Sequence, residues 1–337
     1  MAKFSDLGND LYSGKRSFNI IGRWKLWYTI AAVLILVSVV GPFLRGGFVF
    51  GIEFRGGSQF AITQVSDQSQ QRGIDAVKSV DPAVVPLVTT LGQSGVRIQT
   101  DQLSDAESNQ VRDALAKAYD VQPSDVTINF IGPTWGADIT GQAIRGLVIF
   151  LALAALFMAI YFRTWKMAAS AMIALVHDLV ITAGIYGITG FEITPAAVIG
   201  FLTILGYSLY DTVVVFDKIR ENTREMGDKP TRTFGETVNL AVNQTLVRSI
   251  NTSVVAMLPV ASILFIGAFV LGAGTLRDIS LALLIGIAVG TYSTIFIASP
   301  IYAQLREREP KIKKLNARVL AVRSQRESQT ESESISA

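Results

Sequence analysis

Four stretches of the chain, residues 26–43, 146–162, 250–274 and 279–303, contain no charged residue at all. A helix needs roughly 20 apolar residues to cross the hydrocarbon core of a bilayer. In lipid only structures that satisfy their own backbone hydrogen bonds persist, so each stretch reads as a transmembrane helix. Two more stretches qualify with interruptions: 167–189 holds His177 and Asp178, and 193–216 holds Asp211. The chain is therefore expected to be a multi-pass α-helical membrane protein with six spans, at 26–43, 143–162, 167–189, 193–216, 249–274 and 279–303. Composition agrees, since 17% of its 337 residues are charged where soluble proteins average about 25%.

An even number of spans puts both termini on one side, and basic residues mark the cytoplasmic side. Lys3, Lys15, Arg16, Arg23 and Lys25 precede the first span, Arg163 and Lys166 follow the second, six basic residues lie between Lys218 and Arg248, and eight follow Ala303. The opposite connections carry none in "GFE" and only Arg277 in "GAGTLRD". Residues 1–25 and the tail 304–337 are thus expected in the cytoplasm. The net charge of +3 reads as this topology signal. It does not read as a nucleic-acid surface, which would cluster basic residues with aromatics on a soluble face. The first span lacks a cleavage pattern and reads as a retained signal anchor. The absence of cysteine excludes disulfides and thiolate chemistry, and a single histidine argues against a metal site. No cofactor is expected.

Residues 44–142 change to a soluble, slightly acidic composition and are expected to form one exported domain. Period-2 and helical runs give strand "SQFAITQV", helix "QRGIDAVKSV", strand "VVPLVTT", turn "LGQSG", strand "VRIQT", helix "SDAESNQVRDALAKAY" and strand "DVTINFIG". That βαββαβ order implies a small ferredoxin-like α+β sheet. Ser104 and Glu107 form a capping box at the second helix. The cytoplasmic loop 217–248 breaks at "GDKP". A second capping box, Thr233 and Glu236, then opens a stripe of Phe234, Val238, Ala241, Val242 and Leu246. Such a stripe suits a helix lying on the membrane surface, or one packed against the bundle. The tail ends in polar, non-periodic sequence and is expected to be largely disordered. Small residues in "GIYGITG", at Gly200 and Gly206, and in "GIAVG" allow close helix contact.

A carboxylate inside a span is costly unless neutralised, paired or hydrated, so Asp211 is the leading candidate for a functional group. Its alternative is a local bond to Tyr207 or Ser208, one turn back. Arg248, at the start of the fifth span in "LVRSINTS", lies at a matching depth and is the candidate counter-charge. Alone, it also suits a snorkelling interface anchor. His177 and Asp178 lie near the middle of the third span and are candidates for proton movement. As neighbours they point about 100° apart and face different partners.

The segments "GIEFRGGSQFAIT", "ALVHDLVITAGIYGITGFEITPAAVIGFLTILGYSLYDTVVVFDKIREN" and "QTLVRSINTS" together resemble SecF, a subunit family of the SecDF protein-export complex related to the RND transporters. The resemblance covers nearly the whole chain. It implies a proton-pathway aspartate at Asp211 and an essential arginine at Arg248. It also implies partnership with SecD, the SecYEG translocon and unfolded preproteins in a bacterial plasma membrane, and use of the proton motive force without enzymatic chemistry. Gly51, Glu53, Gly56 and Gly57 match the family's Gly-x-Asp-Phe-x-Gly-Gly element, with Glu53 in place of the usual aspartate. Tyr210 stands where the family often has asparagine. Gly56 and Gly57 read as a turn into the first strand. An RND-type exporter of small molecules or lipids, and a passive translocon scaffold, are the alternatives. The coupling ion, proton or sodium, stays open.

Overall fold

The apolar stretches close their own backbone hydrogen bonds in long helices in the computed structural model, which describes residues 8–224, 226, 231–267 and 273–336; residues 268–272 of the expected fifth span lie outside the described residues. The expected break at "GDKP" lies outside the described residues. Among the described residues, six helices are long and apolar enough to cross a membrane. The first runs over Trp24–Leu44 and the third over Trp165–Thr189, close to expectation. The second occupies Pro133–Phe162, beginning ten residues before 143 because Pro133 pre-sets the first turn. Hydropathy had registered only its apolar half.

The fourth span, Pro195–Arg224, continues two turns past the apolar run. The fifth is one helix, Phe234–Phe265, so the cytoplasmic helix and the span are not separate elements. Phe234, Val238, Ala241 and Val242 are all buried against the bundle, which settles the stripe as a packing face. The sixth span is helical over Gly274–Ser293 and Ser299–Glu307, with a π-helical turn at Thr294–Ala298 between them. Pro300 has no N–H to give, and the Ser299 hydroxyl donates to Thr294 O at 3.0 Å.

The third, fourth and sixth spans form the interior of the bundle, while the first and second pack on the third and leave wide apolar faces outside. The tail departs from expectation: Pro310–Ser336 is a helix. Ile312, Leu315, Val319 and Val322 recur at helical spacing, and Val319 is buried. Asn316 accepts from Phe234 N–H at 2.8 Å, and the Arg323 fork grips Glu236 at 2.7–2.8 Å. These contacts fix the tail to the capping box of the fifth span.

Between the first and second spans stands the α+β domain. Its antiparallel strands β1 (Gly57–Ile62), β2 (Leu87–Leu91), β3 (Gly95–Thr100) and β4 (Val126–Ile131) lie in the order β2-β3-β1-β4. Phe60 pairs with Ile98 on one side and Ile128 on the other. Helices Gln70–Val80 and Asp105–Tyr119 cover one face, burying Phe60, Ile62, Val77, Val96, Ile98 and Leu115. The capping box forms as expected: Ser104 Oγ accepts from Glu107 N–H at 3.3 Å, and Glu107 accepts from Ser104 N–H at 2.8 Å. The Ser104 hydroxyl, which also donates to Glu107 Oε2 at 2.7 Å, and then the Ser104 N–H hold the exposed Glu107 carboxyl below its ordinary range. Every residue of β3 is buried, including Arg97 and Gln99 on the face away from the helices. Residues 57–132 expressed alone are expected to give a mixed helix–strand circular dichroism spectrum and a cooperative melt. Leu115→Ala is expected to lower the stability of that fragment by about 3 kcal/mol.

Candidate intramembrane site

A polar seam runs through the otherwise apolar interior, built where the third, fourth, fifth and sixth spans meet. Asp211 on the fourth span is 6% exposed. Its Oδ1 accepts from the Ser249 hydroxyl of the fifth span at 2.8 Å, and its Oδ2 is buried with no hydrogen-bond partner. Ser253, one turn on, donates to Ser249 O at 2.8 Å and meets the hydroxyls of Tyr207 at 3.3 Å and Thr291 on the sixth span. Hydroxyls thus line the fifth span on the side facing Asp211.

The second part of the seam centres on Asp178 of the third span. Its Oδ2 accepts from the Ser208 hydroxyl at 2.6 Å, and its Oδ1 meets His177 Nδ1 at 3.2 Å. His177 and Asp178, which adjacency separates by about 100°, are each other's neighbours, yet only Asp178 reaches the fourth span. His177 stacks its ring near Tyr292, 6.0 Å between centroids, and its Nε2 is buried without a partner. Gly290 on the sixth span makes room: a methyl there would stand 3.1 Å from Ser208 Oγ and 3.6 Å from Asp178 Oδ2. Thr212 links onward, donating to Ser208 O at 2.9 Å and meeting Thr294 at 2.9 Å, where the π-helical turn begins. Turns of this kind often mark functional positions.

The expected residues are therefore divided. Asp211 and Asp178 lie on neighbouring spans: the Ser208 hydroxyl of the fourth span bonds Asp178, while the Asp211 carboxyl, three residues on, bonds Ser249 of the fifth. Arg248 is exposed on the fifth span. It is near enough to act on Asp211 through space, but no ion pair joins them among the described residues. Ser249, the next residue, takes the direct contact. Ser208, expected as a local partner of Asp211, bonds Asp178 instead, and Ser249 and Ser253 are missed by the sequence reading, although "RSINTS" places two serines one turn apart in an apolar span, which is a readable signal. No group of three or more metal-ligating side chains occurs among the described residues.

Gly51, Glu53, Gly56 and Gly57 gather at the other end of the bundle. Gly51 precedes the short helix Ile52–Arg55, and Gly56 ends it at φ 76°. Gly57, at φ 143°, lies so close to Thr100 O that no side chain fits. The glycine pair is thus required by backbone geometry. Glu53 buries Oε2 without a partner.

Residues 110–308 match the family model described as "Protein export membrane protein SecD/SecF, C-terminal". The chain is 44% identical over 334 residues to the protein translocase subunit SecF of Streptomyces coelicolor, covering 96% of this chain and 86% of that one. It is 41% identical over 323 residues to SecF of Mycobacterium tuberculosis, covering 93% and 73%. The crystal structure of SecDF from Thermus thermophilus, a translocon-associated membrane protein, superposes with a TM-score of 0.75 at 28% identity, over 87% of this chain and 39% of that longer one. With a family model spanning more than half of its length and relatives at 41% and 44% identity covered over 73% and 86% of their own length, the chain belongs to the SecF family of protein translocase subunits.

Proposed function

We propose that the chain works with a SecD partner to draw on the proton motive force and help preproteins leave the SecYEG channel, with Asp211 as the group that loads and releases the proton. The observation that carries this reading is the Asp211 carboxylate, enclosed among four spans with one oxygen held by Ser249 and the other free of hydrogen bonds. A proton on Oδ2 would neutralise the site without disturbing the Ser249 bond. One charge crossing the membrane potential is worth about 2.3 kcal/mol per 100 mV. That energy can bias two arrangements of a packed bundle if Asp211 interacts differently with its surroundings in each. Arg248 supplies the counter-charge in the arrangement where the fifth span turns it inward. Asp178, His177 and Ser208 extend the pathway toward the third span.

A partner is supported by the Thermus protein, in which the region like this chain is a minor part of a longer chain named SecDF. The distribution of basic residues supports cytoplasmic termini and an α+β domain outside the plasma membrane. A reporter fused after Gly92 is accordingly expected outside the cell membrane. Reporters after Ser328, and after Asp228, which lies outside the described residues, are expected inside. An external reading at Ser328 would reverse the topology. The functional reading is tested in inverted vesicles lacking this chain, supplied with SecD and a preprotein: adding the chain is expected to restore the part of export that an imposed proton gradient drives. Equal stimulation by the gradient without the chain would refute it.

A further inference from the structure

The α+β domain touches the membrane bundle through a buried ion pair. Arg97 of β3 donates through Nη2 to Glu192 Oε2 at 2.9 Å, in the turn between the third and fourth spans. Glu192 is 7% exposed, and its other oxygen, Oε1, is buried with no partner. Glu53 Oε2 is buried and unpartnered in the same way. Both orphan oxygens converge on Gly51: a methyl there would collide with Glu53 Oε2 and stand 3.3 Å from Glu192 Oε1. The backbone holds the two acids together, because Gly51 N–H donates to Ile193 O at 2.9 Å and Ile193 N–H to Val49 O at 2.7 Å.

One guanidinium therefore faces two buried carboxyls, and like charges sharing such a site resist ionising together. Among the described residues, no second cation from a neighbouring element bonds either orphan oxygen. Asp278, at the start of the sixth span, is already held by Arg277 at 3.1 Å and by the Thr194 hydroxyl at 2.9 Å. Asp138 of the second span and Arg55 of the short helix are exposed, and β1 has no ionisable residue. Arg45 turns to Ile188 O.

We propose that Glu53 is a proton-binding site that latches the α+β domain to the membrane bundle, a proton on its orphan oxygen beside Glu192 keeping the Arg97–Glu192 pair intact. Losing it sets two carboxylates against one guanidinium and frees the domain. Burial pushes the Glu53 carboxyl above its ordinary range; Glu192 and Asp278 add to this, while a backbone hydrogen bond and Arg97 oppose it. A docked state that holds its proton more tightly than the free state is most stable at acid pH. It weakens as pH rises from the ordinary carboxylate range through the raised value. Under the topology proposed above, the acidic outer side of an energised membrane closes the latch. The inference stands on these contacts and not on Asp211.

The full chain contains no cysteine, so spin labels at Gln110→Cys on the domain and Ile199→Cys on the fourth span report docking in lipid nanodiscs. As pH rises from the ordinary carboxylate range through the raised value of Glu53, the wild type is expected to pass from one short distance to a longer, broader distribution. Glu53→Gln, neutral throughout, is expected to stay docked and lose the pH dependence. Glu192→Gln, which takes the charge from Arg97, is expected to show the long distribution at every pH. A wild-type distance that ignores pH overturns the proposal, as does a Glu53→Gln variant that keeps the wild-type midpoint. Undocking controlled by sodium at constant pH also overturns it, in favour of a cation site. If Glu192→Gln fails to fold, the Glu53→Gln profile still decides.

Discussion

Asp211→Asn is expected to insert and fold like the wild type and to lose the gradient-driven part of export. Asparagine keeps the size of the side chain, and its carbonyl oxygen accepts the Ser249 hydroxyl that now bonds Oδ1 at 2.8 Å. What it cannot do is change charge. A single elementary charge moved through 100 mV shifts an equilibrium by about 2.3 kcal/mol, or about 50-fold, and that whole shift disappears with the titratable group. Export by vesicles carrying Asp211→Asn should therefore match the wild type without a gradient and rise little when one is imposed. Arg248→Met is expected to fail in the same assay, and Arg248→Lys to retain part of the response, because the charge survives without the planar fork. If Asp211→Asn responds to the gradient as strongly as wild type, Asp211 is structural and the chain acts as a scaffold.

Gly184→Leu is expected to detach the first span from the third. A methyl at Gly184 would collide with the Cα and Cβ of Ser38, and one at Gly187 with the ring of Pro42. These neighbours are backbone or bound to it, so no rotamer change makes room. Overpacking ordinarily costs about 1–3 kcal/mol, and at a backbone contact in a bundle held by close packing the cost should reach the top of that range or more. Gly206→Leu is the control, since nothing lies within 4 Å of its added carbon. Thermal unfolding in detergent, followed by size-exclusion chromatography, should show a large loss for Gly184→Leu and little change for Gly206→Leu. Similar loss in both variants would mean that small residues matter here for helix flexibility and not for contact.

Local chemistry made much of this protein legible. Hydropathy located six spans because a helix in lipid must be apolar over its whole crossing, whatever it packs against. Period-2 runs and the Ser104–Glu107 capping box gave the βαββαβ domain, because strand pleat and helix ends are set by residues a few positions apart. The helical tail is not legible in sequence, because its end is polar and non-periodic and the spacing of Ile312, Leu315 and Val319 gains meaning only against the fifth span that it covers. Asp211 was visible as a lone charge where charge is costly.

The partners of these groups were decided only in three dimensions. Arg248 and Ser249 are equally close to Asp211 in sequence, yet consecutive helical residues point about 100° apart, and the rotation of the fifth span brings the serine inward and leaves the arginine exposed. Gly184 and Gly206 look alike in a list of small residues, but only the first meets another backbone. Glu192 in "GFE" and Arg97 in "VRIQT" are 95 positions apart and pair at 2.9 Å. Sequence fixes which residues can be helical, apolar or charged because those are properties of the residue and its near neighbours. Which of them touch depends on how whole helices rotate and cross, and that is settled by the packing of all six at once.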